Sequence, residues 1–199
     1  MTVKLVGSTS GSVSLQAPAS TTGGAHRVLT LPDADGTVAV GNTGKILQVK
    51  SATKTDHFTH ATTTVTDITG LSVSIIPSSA SSEILIMADI FMSGVANTYA
   101  GFRLLRDSTP IRQTTAIDGT DNRFMGTIGS HVDTNRYVRS VGINFLDNTH
   151  NSTSSLTYKI AVASLYGSNT VHINRTAAAD NLLYPQAGSS TITVFEVAA

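Results

Sequence analysis

Apolar and polar residues alternate with a period of two along much of this chain. In residues 71–75 the apolar side chains are odd-numbered and the serines are even-numbered. In residues 156–162 the apolar set is even-numbered, and Thr157 and Lys159 lie between its members. Because successive side chains of a strand point to opposite faces, such segments predict strands with one buried and one wet face. No window shows the i, i+3, i+4, i+7 spacing of an amphipathic helix, so the sequence predicts an all-β protein.

Segments of this kind recur after residue 42 at intervals of about 8–12 residues, which is typical of a sandwich or barrel. The predicted strands are 45–50, 53–60, 62–68, 71–76, 83–92, 99–106, 109–113, 123–129, 137–146, 155–165, 170–174 and 191–197. Gly, Pro, Asn, Asp and Ser stand between most of them, as expected for turns. The pattern therefore predicts one antiparallel β domain over residues 43–199.

Residues 84–88, Ile-Leu-Ile-Met-Ala, are apolar at both odd and even positions. A strand with this composition is expected to be covered on both faces. One face would lie in the core of the sandwich, and the other could form a contact between subunits. This strand is the part of the oligomer argument that comes from the residues themselves.

Residues 1–42 differ from the rest, since they consist of short alternating pieces separated by Gly- and Pro-containing turns. The pieces lie at 12–16, 27–31 and 37–40. Three short strands cannot bury a core alone, so they need partners, most simply copies of the same segment. We therefore expect a β-rich neck or attachment segment at 1–42, with a hairpin packed on the main domain as the alternative.

Composition excludes several classes of function. The chain carries 13 basic and 13 acidic residues, a formal net charge of zero, so no overall field draws it to nucleic acid or to an acidic membrane. It has no cysteine, which removes disulfides, thiolate zinc sites and thiol nucleophiles. No apolar run approaches 18 residues and the N-terminus lacks a signal-peptide core, so neither membrane insertion nor secretion is expected.

Carboxylates are scarce for a glycan-cleaving enzyme, which needs two of them on either side of the scissile bond. The chain has two glutamates, Glu83 and Glu196, and its eleven aspartates lie mostly in predicted turns, where Asp binds its own backbone. Asp118 and Asp121 share one loop and could form a pair, but a solvated turn is the favoured interpretation. The sequence therefore predicts a protein that is not an enzyme.

Histidine spacing does not predict a metal site. His57 and His60 are three residues apart, so on a strand their side chains point to opposite faces. The other histidines are scattered, with no cysteine or glutamate at ligand spacing. We expect no metal and no cofactor, although a metal on a symmetry axis stays open.

Three long polar loops, 116–123, 146–154 and 175–188, are the candidate contact surface, since loops on a rigid scaffold often carry binding. Amide, carboxylate and guanidinium groups can bind sugar hydroxyls, and tyrosine can stack on a sugar face. Ordinary solvated connections are the alternative. The candidate residues are Asp118, Asp121, Asn122, Arg123, Tyr137, Asn148, His150, Asn151, Asp180, Asn181 and Tyr184.

Several collinear motifs resemble the C-terminal domain of tail-fibre and virion-surface proteins of marine and freshwater, cyanophage-like bacteriophages. They include Gly-Lys-Ile-Leu-Gln-Val (44–49), Asp-Ile-Thr-Gly-Leu-Ser-Val-Ser-Ile (67–75), Ser-Ser-Glu-Ile-Leu-Ile (81–86), Phe-Arg-Leu-Leu-Arg-Asp-Ser-Thr-Pro-Ile (102–111), Val-His-Ile-Asn-Arg (171–175) and Ser-Thr-Ile-Thr-Val-Phe-Glu-Val (190–197). The unit Leu-Thr-Leu-Pro-Asp-Ala-Asp-Gly-Thr-Val (29–38) resembles a unit of phage fibre shafts and connectors. The resemblance covers most of the chain from 44 to 197.

The resemblance implies a jelly-roll-like β-sandwich that assembles as a homotrimer and brings no catalytic residues. It implies a virion-surface protein made in the host cytoplasm, which docks on other virion proteins through its N-terminal segment. The expected function is that of a tail-fibre or receptor-binding module that adheres to host surface polysaccharide without cleaving it. A capsid decoration or head-fibre protein is the alternative, and a polysaccharide depolymerase is the least favoured one.

Overall fold

The computed structural model describes residues 2–6, 12–16, 45–95, 97–111, 126–130, 138–165, 169–178 and 187–199. The chain divides into two compact units, Met1–Gly41 and Asn42–Ala199. In the first unit, β1 (Thr2–Val6) pairs antiparallel with β2 (Ser12–Gln16). The alternation at 12–16 is confirmed as a strand, whereas β1 is not among the predicted strands. The predictions at 27–31 and 37–40 lie outside the described residues.

Every regular element of the described residues is a β-strand, so the all-β prediction is confirmed. The strands of the second unit are β3 (Ile46–Lys54), β4 (Phe58–His60), β5 (Thr66–Ile75), β6 (Glu83–Gly94), β7 (Thr98–Arg106), β8 (Thr109–Ile111), β9 (Gly126–Ser130), β10 (Arg139–Asp147), β11 (Leu156–Ser164), β12 (Val171–Ile173) and β13 (Ser190–Val197). In the part of the chain that the structure describes, there is no helix long and apolar enough to span a membrane.

The strands form two antiparallel sheets that pack as a sandwich. Sheet 1 has the order β3–β13–β6–β10, and β12 and β4 extend it beside the C-terminal end of β6. Sheet 2 has the order β5–β11–β7, with β8 and β9 on the far side of β7. The neighbours β3 and β13 are almost at opposite ends of the unit's sequence, which is the long-range pairing of a jelly roll. The sandwich prediction is thus confirmed.

The core lies between the two sheets, and the predicted parity identifies the residues that fill it. The odd-numbered apolar residues of 71–75 and the even-numbered ones of 156–162 are all buried. Ser72 and Ser74 are exposed, whereas Thr157 and Lys159 are partly buried. Alternation alone therefore predicted the inward faces of β5 and β11.

Two predicted strand boundaries are wrong. The segments 62–68 and 71–76 form one strand, β5, which continues through Gly70 with a φ of 86°. Its register with β11 shifts between Lys159 and Ala161. A glycine can adopt this left-handed conformation without strain, so the strand bulges here and does not end. The predicted strands 45–50 and 53–60 divide at a different place, because β3 runs from Ile46 through to Lys54 and β4 begins at Phe58. In the turn between them, the Lys54 ammonium group lies 2.9 Å from an Asp56 carboxylate oxygen.

Candidate functional site

The solvent-facing side of sheet 1, called here the outer face, has an unusual composition. It consists of cross-strand rows that run from β3 through β13 and β6 to β10. The first row is Val49, Phe195, Leu85 and Leu146, the second is Ser51, Thr193, Met87 and Asn144, and the third is Thr53, Thr191, Asp89 and Gly142. The rows therefore change from wholly apolar, through mixed, to polar.

The first row is the apolar belt of the outer face. It crosses all four strands, and Val49 on β3 is 49% exposed, whereas Leu146 on β10 is 42% exposed. Phe195 and Leu85, between them, are partly buried. Large apolar side chains that are contiguous and exposed on a soluble protein usually indicate a contact surface.

A shallow concavity of about 320 Å³ lies beside the belt, on the second and third rows. It is lined by Met87, Ala88, Asp89, Asn144, Thr191, Thr193 and Phe195. Met87 is 45% exposed, although its neighbours Ile86 and Ala88 point into the core. The prediction that 84–88 has one core face is confirmed, while its role in a subunit contact stays a prediction.

The outer side of sheet 2 differs in chemistry from the outer face of sheet 1. Lys159 Nζ on β11 donates to a carboxylate oxygen of Asp67 on β5 at 2.6 Å. The hydroxyls of Ser74 and Thr157 are hydrogen-bonded at 2.9 Å. Ion pairs and paired hydroxyls are typical of a solvated sheet surface. Among the described residues, the cross-strand pairs Ser74–Thr157 and Ser72–Lys159 of sheet 2 are therefore polar, whereas the first row of sheet 1 is wholly apolar.

The loop after β10, which contains three of the predicted contact residues, is anchored by a buried acid. The carboxylate of Asp147 accepts hydrogen bonds from Arg106 Nη1 at 2.9 and 2.7 Å and from the Tyr158 hydroxyl at 2.8 Å. It also accepts from the amide and hydroxyl of Thr149. Burial by itself raises the pKa of Asp147, but the hydrogen bonds from Tyr158, Thr149 and Arg106 outweigh it and hold the pKa below its usual range. Burial and the adjacent carboxylate raise the pKa of Tyr158.

His150 belongs to the support of this loop, since its side chain is buried. Its Nδ1 accepts a hydrogen bond from the amide of Ser152 at 3.2 Å, so the ring proton is on Nε2 and is donated to the carbonyl of Ser82 at 2.6 Å. Asn148 and Asn151 are exposed, and Asn151 has a φ of 42°, which asparagine tolerates better than most residues. The loop thus presents two asparagines from a braced backbone, and its imidazole points inward.

The structure describes only part of the predicted contact surface. Asn148 and Asn151 are displayed to solvent, whereas His150 is not, because both of its ring nitrogens are used inside the fold. The remaining candidates lie outside the described residues, and their role stays a prediction. They are Asp118, Asp121, Asn122, Arg123, Tyr137, Asp180, Asn181 and Tyr184.

A second buried acid, Glu196 on β13, joins sheet 1 to the turn after β5. Its carboxylate accepts from the Ser78 amide at 2.6 Å, from the Ser78 hydroxyl at 2.7 Å and from Gln48 Nε2 at 2.6 Å. Burial raises the pKa of Glu196, but the hydrogen bonds from Ser78 and Gln48 lower it to about 2. Sequence reasoning placed Glu196 in the last strand but gave it no role. The signal in the sequence was its even number, because the even-numbered side chains of β13, such as those of Ile192 and Val194, point inward.

The histidines of 57–60 are not arranged as metal ligands. His57 precedes β4, whereas His60 Nε2 lies 2.7 Å from the carbonyl oxygen of Thr64 and its ring stacks near Phe58. No group of three or more His, Cys, Asp or Glu side chains that could hold a metal ion occurs among the described residues. The prediction of no metal and no cofactor stays a prediction.

No protein-family model matches the chain, and no curated protein sequence matches it. Solved structures with a similar arrangement include a chain of the T13 particle of infectious bursal disease virus, at 14% identity and a TM-score of 0.40, over 95% of this chain and 42% of that one. They include VP2 in a subviral particle of the same virus, at 14% identity and a TM-score of 0.35, over 86% of this chain and 46% of that one. A further match is the baseplate tripod of bacteriophage Tuc2009, at 9% identity and a TM-score of 0.21, over 92% of this chain and 84% of that one. The chain spans less than half the length of the bursal-virus chains that it matches.

Proposed function

We propose that this chain is a non-catalytic structural module of a phage virion surface, which assembles as a homotrimer and adheres to host surface polysaccharide through its loops. The observation that carries the proposal is the difference between the two sides of the sandwich. On the outer side of sheet 2, the described pairs of β5 and β11 include the Lys159–Asp67 ion pair and the hydroxyl pair Ser74–Thr157, whereas the outer face of sheet 1 exposes an apolar belt. A module that works with one side covered by its own copies would have this surface. The sequence resemblance to phage virion-surface proteins supports the location.

The chemistry of the buried acids supports a non-catalytic role. A general acid for glycoside cleavage must be protonated near neutral pH, which requires a raised pKa. Asp147 and Glu196 have lowered pKa values, because each is surrounded by hydrogen-bond donors. Both carboxylates brace loops and do not line the concavity on the outer face.

The loop at 148–152 supports the adhesive part of the proposal. Its hydrogen bonds to Asp147 and to the Ser82 carbonyl fix its backbone before any ligand binds. Preorganisation lowers the entropy cost of binding. Asn148 and Asn151 then supply exposed amide groups, which donate to and accept from sugar hydroxyls.

Binding of the full chain to a panel of bacterial surface polysaccharides tests the proposal. The chain should retain at least one polysaccharide class, and the double variant Asn148→Ala/Asn151→Gly should bind it roughly tenfold more weakly, which is about 1.4 kcal/mol. Glycine at 151 keeps the backbone conformation, and Ser72→Ala/Ser74→Ala on sheet 2 is the matched control, with unchanged binding. Absence of binding to every polysaccharide at saturating protein would overturn adhesion. Release of reducing sugar would overturn the non-catalytic role.

A further inference from the structure

We infer that three copies pack through the outer face of sheet 1 with their strands parallel to the three-fold axis, so that the apolar belt continues from copy to copy as a closed ring. This inference rests on the proposed homotrimer and specifies its contact surface. The occupant of the outer face is a second copy of this chain. The argument uses the belt, the width of the sheet and the charge of the face.

The belt reaches both lateral edges of the sheet. Val49 lies on the edge strand β3. Leu146 lies on β10, which forms the other edge, because β10 pairs only with β6 among the described strands. The two edge residues are both more than 40% exposed. Under a rotation about an axis parallel to the strands, each row stays at the same height, so Val49 of one copy approaches Leu146 of the next. A ring built from two different patches is the heterologous contact that a three-fold assembly requires.

The width of the sheet matches three copies. Four strands spaced about 4.8 Å apart make a face about 19 Å wide. Three such faces enclose a triangular prism whose central axis is about 5.5 Å from each face. Side chains of one sheet fill about half of the roughly 10 Å between packed sheets, so the side chains of three faces would just reach the axis. Four faces would place the centre about 9.5 Å away and leave an open channel, since the side chains still extend only about 5 Å.

The charge of the three rows is also compatible with self-association. Within the three rows, Asp89 is the one charged side chain, and its carboxylate accepts a hydrogen bond from the Ser140 hydroxyl. The formal net charge of the chain is zero, so copies do not repel each other strongly.

The absence of cysteine from the chain permits a clean crosslinking test. The full-length double variant Val49→Cys/Leu146→Cys is oxidised and, separately, treated with a short bismaleimide. It should form covalent trimers on denaturing gels, whereas Val49→Cys and Leu146→Cys alone should stay monomeric. Both positions are partly exposed, so the substitutions are compatible with folding. The control pair Ser72→Cys/Ser74→Cys, on the outer side of sheet 2, should form no crosslinks between copies.

Light scattering of the same samples separates the two levels of the proposal. A double variant that is trimeric in solution but not crosslinked by either reagent would overturn the belt contact and leave the homotrimer standing. Covalent dimers from a single-cysteine variant would also overturn the ring, since they indicate a two-fold contact. A monomeric wild-type chain would overturn the homotrimer itself.

Discussion

Replacing Asp147 by alanine should strongly destabilise the sandwich domain. The side chain of Asp147 is inaccessible to solvent, and it binds the Arg106 guanidinium and the Tyr158 hydroxyl at once. The change leaves the hydroxyl of a fully buried tyrosine without its acceptor and a mostly buried guanidinium without its counter-ion.

The expected loss is about 3–5 kcal/mol, the typical cost of removing one partner of a buried ion pair. The unpaired Tyr158 hydroxyl accounts for about 1–3 kcal/mol of this. Arg106 contributes less than a fully buried cation would, because 19% of its side chain still reaches water. For a chain of this size each kcal/mol lowers the melting temperature by about 2–4 °C, so a decrease of roughly 6–20 °C is expected.

Urea unfolding followed by circular dichroism measures this loss. Asp67→Ala is the matched control, since it also removes an aspartate from a cation pair, but Asp67 is half exposed, so its change should cost less than about 1 kcal/mol. Adding Tyr158→Phe to Asp147→Ala should recover about 1–2 kcal/mol, because the unpaired hydroxyl is then absent. If Asp147→Ala unfolds within 1 kcal/mol of Asp67→Ala, the buried network does not hold the domain together as described.

Three further predictions concern the same domain. First, the stabilising contribution of Asp147 and Glu196 should be complete above about pH 5 and should be lost as the pH drops towards 2, because their folded-state pKa values lie below their unfolded values. Urea midpoints between pH 7 and 3 measure this loss, and a constant midpoint would contradict it. Second, Gly94→Ala should lower the free energy of unfolding by about 1–3 kcal/mol, since the added Cβ would lie 2.5 Å from Thr98 Cβ, whereas the control Gly142→Ala has open space around it and should be nearly neutral. Thermal melts compare the two variants, and equal melting temperatures would argue against the close approach. Third, Asn174→Ala should lower the free energy of unfolding by about 2–4 kcal/mol, because the buried side-chain amide donates to the carbonyls of Lys54 and Asp56 and accepts from the Ser190 hydroxyl. Urea titrations measure the loss, and a value below about 1 kcal/mol would contradict this role.

Local periodicity was sufficient to predict the fold class and much of the core. The alternation in β5 and β11 depends only on neighbouring residues, so the inward faces could be assigned without knowing the partner strands. Strand β6, apolar at both parities, likewise predicted one core face and one further apolar face. Gly70 was misread, because a glycine inside an alternating pattern is compatible both with a turn and with a bulge.

The polar networks could not be predicted in the same way, because they join residues distant in the sequence. Glu196 meets Ser78, 118 residues away, and Asp147 meets Arg106, 41 residues away. His150 looked like a displayed polar residue, since its loop is rich in Asn, Thr and Ser. Its inward direction depends on the carbonyl of Ser82 in another loop, which no local pattern reveals.

The mass of the full chain in solution tests the central claim most directly, namely that the outer face of sheet 1 is covered by copies of the same protein. Multi-angle light scattering at micromolar concentration should give three times the 20.7 kDa chain mass, about 62 kDa. The variant Leu85→Lys/Met87→Lys, which places charges on the outer face, should give 20.7 kDa while keeping its β-sheet circular dichroism spectrum. A wild-type mass of 20.7 kDa, or a double-lysine variant that remains trimeric, would contradict the account.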